Sequence, residues 1–218
     1  MNIKHVMVTR VVTGAVAILA ACSSAPTPQD TDRLAQSIIK SSFREQGIAK
    51  LDRLTQDEVQ AACSSDTPPS DAVARRLEAA QLATVQWPAD GAWLGDWREG
   101  EKLAQNGRGG TWSDPPGVAA GGNCYNCHQI TKAEISYGTL GPSLYQYGKL
   151  RGVMSPASPT DPASQAIVKY TWGKLWNAKA YNACSGMPRF GHAGVLTPAQ
   201  LKDLMALLLD PKSPVNAQ

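Results

Sequence analysis

Cys124-Tyr125-Asn126-Cys127-His128 carries the most specific pattern in this chain of 218 residues. It reads C-x-x-C-H, the arrangement through which a c-type haem is attached. Two thiols at that spacing can add to the two vinyl groups on one porphyrin edge, and the adjacent His then projects under the ring toward iron. Other uses of a C-x-x-C fit the surroundings less well. A thioredoxin-like pair sits between a strand and a helix, whereas residues 106–123 are a Gly/Pro loop. A zinc site takes four N/S ligands, and Cys63, Cys184 and His192 supply no second paired motif. The pattern predicts one covalently bound haem c on Cys124 and Cys127, with His128 as an axial ligand of the iron.

A second axial ligand is then required, and the candidates are few. Met205 lies on the apolar face of 201–208 and reads as core filler. Met154 follows Arg151-Gly152-Val153 in a loop and stays an alternative. Met187 is the preferred ligand. Gly186 and Pro188 flank it and fix an irregular backbone able to aim one side chain at a ring face. His192 is the other alternative. Pro142, in Gly141-Pro142-Ser143-Leu144, keeps a free carbonyl that can accept the Nδ1 proton of His128 and so orient the ring.

The flanking segments predict an all-α fold. Asp96 caps a helix from Trp97 to about Asn106, Asp161-Pro162 starts another that runs to about Ala178, and Thr197-Pro198 opens the last. That last helix places Leu201, Leu204, Met205 and Leu208 on one face, and no alternating strand pattern interrupts this half. Upstream, 33–94 reads as a helical extension. Leu34, Ile38, Ile39 and Phe43 recur at helical spacing, Thr55 to Glu58 reads as a capping box before Val59, and Ser70 reads as the cap of a helix with Val73 and Leu77 on one face. The domain expectation is an export signal over 1–21, a tether over 22–32, the extension over 33–94 and a haem domain over 95–215.

The N-terminus is an address. Lys4, His5 and Arg10 precede an uncharged apolar run from Val11 to Ala21, too short to span a bilayer but suited to export. Leu19-Ala20-Ala21-Cys22 resembles a bacterial lipobox, which makes Cys22 a lipid attachment site and the membrane a partner; ordinary cleavage after small residues is the alternative. The location read from this is the periplasm, with membrane anchoring through lipid. The formal charge of the whole chain is +3. From Cys22 onward 19 basic residues face 18 acidic ones, which lacks the electrostatic footprint of a nucleic-acid binder. Export to an oxidising compartment favours pairing the two remaining cysteines, Cys63 and Cys184, although two buried free thiols are the plain alternative.

Taken together, Gly95-Asp96 with Gly100 and Leu103, the C-x-x-C-H, Gly-Pro-x-Leu, a late Met and a terminal helix resemble a class I cytochrome c. Asn123 to Gln129, Cys184 to Gly191, Leu196-Thr197 and Leu207 to Pro211 are similar to SoxX, the family of monohaem subunits of SoxAX sulfur-oxidation cytochromes. The likeness covers roughly 95–215. It implies an electron-transfer subunit of an L-cysteine S-thiosulfotransferase, with the chemistry on a SoxA partner. Electrons released when thiosulfate is coupled to a SoxYZ carrier would pass through this chain to a soluble cytochrome c. A free-standing periplasmic electron-transfer lipoprotein is the second expectation.

Overall fold

Capping residues set where the helices begin. The computed structural model describes residues 27–118, 120–153 and 161–217, and among these seven α-helices and several 3-10 turns are joined by loops, with no strand. The all-helical expectation therefore holds for the described residues. The export segment 1–21, Cys22 and Met154 lie outside them.

Helix α1 is Pro28–Ser42. Thr27 and Asp30 exchange side-chain-to-backbone bonds as a capping box, and Pro28 takes the first helical position. Residues 28–32, read from sequence as tether, are thus the first turn of a helix. Helix α2, Glu58–Cys63, is capped by Asp57 rather than Thr55. The Gln60 N–H donates to Asp57 at 2.8 Å, and Gln60 Oε1 accepts from the Asp57 N–H at 3.0 Å. Thr55 is already used, closing the 3-10 turn Leu51–Leu54. Helix α3 is Asp71–Leu82; Ser70 takes the cap position, but its side chain makes no capping hydrogen bond.

Helices α4 (Trp97–Gln105), α5 (Tyr147–Leu150), α6 (Pro162–Trp176) and α7 (Pro198–Leu209) complete the set. Asp96, Asp161 and Thr197 cap α4, α6 and α7 with their side chains. Helix α6 stops two residues short of Ala178 because Asn177 leaves the helix and caps the next turn, Ala178–Ala180.

The chain divides into two units, Met1–Arg44 and Glu45–Gln218. In the first, α1 has no buried residue. The second is built on α4 packed along α7. A side chain at Gly100 would meet the Asp203 carbonyl at 2.2 Å and Leu207 at 3.0 Å, so glycine is what lets these backbones cross so closely. The entry to α4 is pinned as well: the Gly95 N–H donates to the Lys202 carbonyl at 2.9 Å, and the Asp96 N–H to Asp203 Oδ1 at 2.8 Å. Leu201, Leu204, Met205, Leu207 and Leu209 on α7 are buried with Val168 and Trp172 on α6. Trp172 stacks on Trp176 at 6.0 Å, meets Trp93 edge-on at 6.0 Å, and donates from Nε1 to the Gln86 carbonyl at 2.8 Å.

Candidate functional site

The Cys124–His128 turn is held by the C-terminal end of α4. The Gly122 N–H donates to the Leu103 carbonyl at 2.8 Å and the Asn123 N–H to the Asn106 carbonyl at 3.0 Å. Asn123 then adopts a left-handed backbone with φ 48°, which reverses the chain into the 3-10 turn Cys124–Asn126. Asparagine tolerates that region better than most residues, so the turn has a local cause.

A second loop is laced onto the first. Gly138, Gly141 and Leu144 donate their N–H groups to the carbonyls of Tyr125, Cys127 and Gln129, each at 2.7 Å. This brings the Pro142 carbonyl to 2.7 Å from His128 Nδ1. A carbonyl only accepts, so Nδ1 carries a proton in this contact. Gly141 is required at this point: a Cβ there would lie 2.1 Å from His128 Cε1. Tyr125 is buried beside the turn, its hydroxyl 3.1 Å from Thr131 Oγ1.

Cys124 and Cys127 are both free thiols. Burial against the apolar core pushes the Cys124 thiol up to about 12, so it stays protonated at neutral pH. That is the opposite of the lowered pKa of a reactive thioredoxin-type thiol. The site therefore offers two free thiols and an imidazole pinned through Nδ1 within a single turn.

The loop carrying Met187 is positioned by different elements. Cys184 is joined to Cys63, at the end of α2, by a disulfide. Arg189 donates to Asp57 at 2.6 Å and to Gln81 Oε1 at 3.2 Å, so one guanidinium ties the loop to α2 and α3 together. Lys179 Nζ donates to the Ala183 carbonyl at 3.0 Å, and the Ala183 N–H to Glu78 at 3.1 Å. Met187 packs half-buried against the main core. His192 has its Nδ1 3.1 Å from Thr84 Oγ1. Burial, then the nearby Arg189 charge, holds the His192 imidazole below its ordinary value. Met205 is fully buried on α7, in keeping with a core role. Trp176 Nε1 is a buried donor with no acceptor among the described residues.

The sequence reading missed the clamp made by Asp57, Gln81 and Arg189. Its members are 132 and 108 residues apart, and no local spacing announces such a pair. The clamp has a pH signature. Burial by itself would raise the Asp57 carboxyl, but the Gln60 N–H and the Arg189 guanidinium outweigh it and hold the group below its usual value. Its contribution to stability is therefore complete above the unfolded carboxylate pKa and is lost as pH falls through the lower, folded value. Acid unfolding of Asp57→Asn is expected to be less steep than that of the unaltered protein below pH 4, approximately. Parallel acid titrations of the two would count against the clamp.

No known family model matches the chain. Over 202 residues it is 33% identical to an uncharacterized lipoprotein of Aquifex aeolicus (strain VF5), covering 89% of this chain and 90% of that protein. These findings correct the sequence-based identification. The similar protein is named as a lipoprotein and not as a cytochrome or a Sox component, so the SoxX assignment is not carried forward. Among the described residues no group of three or more His, Cys, Asp or Glu side chains is placed to hold a metal ion. Haem c as cofactor, with His128 and Met187 as its iron ligands, is set aside on that ground. So are both electron-transfer roles and the thiosulfotransferase subunit. His128 sits on the loop held by α4, Met187 on the loop held by α2 and α3, and His192 Nδ1 lies against Thr84 Oγ1.

Proposed function

We infer, from the membership of this chain in the family of the Aquifex aeolicus lipoprotein, that it is an exported helical protein held at the cell envelope by lipid on Cys22. Its working part is the Cys124–His128 turn, as a site of covalent attachment through sulfur. One observation carries this reading: two free thiols stand in one turn beside an imidazole pinned through Nδ1, while the other two cysteines of the described chain are consumed by a disulfide. An oxidising compartment closes adjacent thiols unless something else occupies them. Burial that keeps Cys124 protonated slows disulfide exchange, and it slows addition to a carbon electrophile as well, because the thiolate is the nucleophile in both. In such an addition sulfur bonds one carbon of an activated double bond and the thiol proton passes to the other, with no oxidant consumed.

The finer fold reading, a class I cytochrome c-like course of the chain over 95–215, is supported by the close crossing of α4 and α7 and the turn that follows α4. It concerns the path of the backbone, and fold does not fix function.

The test is mass analysis of the protein purified from its own envelope. A peptide spanning Cys124 and Cys127 is expected to carry added mass that reductant does not remove, and Cys22 to carry acyl mass. In Gly141→Ala the imidazole has no room, and the attached fraction is expected to fall. Two freely alkylated thiols in the unfolded protein, or a mass two hydrogens short, would overturn the attachment site.

A further inference from the structure

Helix α1 leaves its apolar side chains in the open. Leu34 is 61% exposed, Ile38 52% and Phe43, which caps the helix, 50%. At 100° per residue, Leu34, Ala35, Ile38 and Ile39 fall within one arc of about 140°. Asp32, Arg33, Gln36, Ser37, Lys40 and Ser41 line the polar side. Among the described residues no helix is long and apolar enough to cross a membrane. An amphipathic helix of 15 residues with this charged side has the character of one that lies in the plane of a membrane surface.

Position along the chain decides which surface covers it. Cys22 precedes Thr27 by five residues. Five residues span at most about 18 Å when fully extended. A lipid on Cys22 therefore keeps the start of α1 within that distance of the bilayer, at very high effective concentration. Lys40 and Arg44 at its C-terminal end suit anionic headgroups. We propose that α1 docks along the membrane surface, with Leu34, Ile38 and Ile39 sunk to the acyl boundary. The helix then acts as a second attachment beside the lipid and sets the height at which the following unit begins. This rests on the lipid attachment of Cys22 inferred above.

The experiment uses the full-length, naturally processed protein in vesicles of phosphatidylethanolamine and phosphatidylglycerol. The unaltered chain is compared with Leu34→Gln/Ile38→Gln, whose straight-chain residues preserve helix propensity. Amide hydrogen exchange over 34–43 is expected to be at least about tenfold slower in the unaltered protein, while both proteins float with the vesicles. Equal exchange in two floating proteins would overturn the docking and leave the lipid attachment standing. Protection that grows with protein density at constant lipid would assign the face to a second copy instead, and likewise overturn it. An unaltered protein that does not float and carries an unmodified Cys22 would overturn the lipid attachment and this inference with it.

Discussion

Replacing Cys63 and Cys184 together by serine is expected to cost about 2–5 kcal/mol of stability. The two residues are 121 apart, so the bridge removes a large closed loop from the freedom of the unfolded chain. For a unit of this size the loss corresponds to a fall in Tm on the order of 10 °C. Thermal unfolding with and without reductant checks it: reductant lowers the midpoint of the unaltered protein and leaves the double variant where it is. The variant also separates two supports of one loop. Arg189 still holds the loop to Asp57 and Gln81, so the fold persists while the segment around Met187 loosens. Oxidation of Met187 by dilute peroxide, followed by mass, is expected to quicken severalfold. An unchanged midpoint would show that the bridge constrains nothing the clamp does not already hold.

A still larger loss is expected at Trp172. The indole is almost fully buried between Trp93 and Trp176, and its N–H satisfies the Gln86 carbonyl. Trp172→Ala removes that packing, leaves a cavity and orphans the carbonyl, at about 3–5 kcal/mol. Set against a total stability of about 5–15 kcal/mol, this is enough to populate the unfolded state. Trp172→Phe keeps most of the packing and is expected to cost about 1–3 kcal/mol, chiefly the unpaired Gln86 carbonyl. Denaturant unfolding of the pair measures both steps. Equal costs for Phe and Ala would mean that the hydrogen bond, and not the packing, dominates.

Much of the local structure was legible because its causes lie within a few residues of one another. Asp96, Asp161-Pro162 and Thr197-Pro198 announce α4, α6 and α7, since a cap acts on an N–H two or three residues away. Gly141-Pro142, which follows the Cys-x-x-Cys-His segment, marks the loop that meets His128 for the same reason. Thr55 was misleading because two acceptors compete within three residues, and Asp57 has Gln60 to complete a box while Thr55 ends the preceding turn. The start of α1 at Pro28 was passed over because polar residues hide a cap that needs only Thr27 and Asp30.

The amino-acid sequence by itself determined the helical class, the starts of α4, α6 and α7, the pair of thiols beside His128 and the apolar face of α7. All of these follow from propensity, capping and periodicity, which are local. Only the tertiary structure decided that Arg189 clamps its loop to Asp57 and Gln81, that Gly100 lets α4 cross α7, and that Cys124 is held as a protonated thiol. Each depends on groups that meet across 100 residues or more, or on the water excluded when they meet. Burial is a property of the packed chain, and burial sets both the cost of an unpaired charge and the acidity of a thiol.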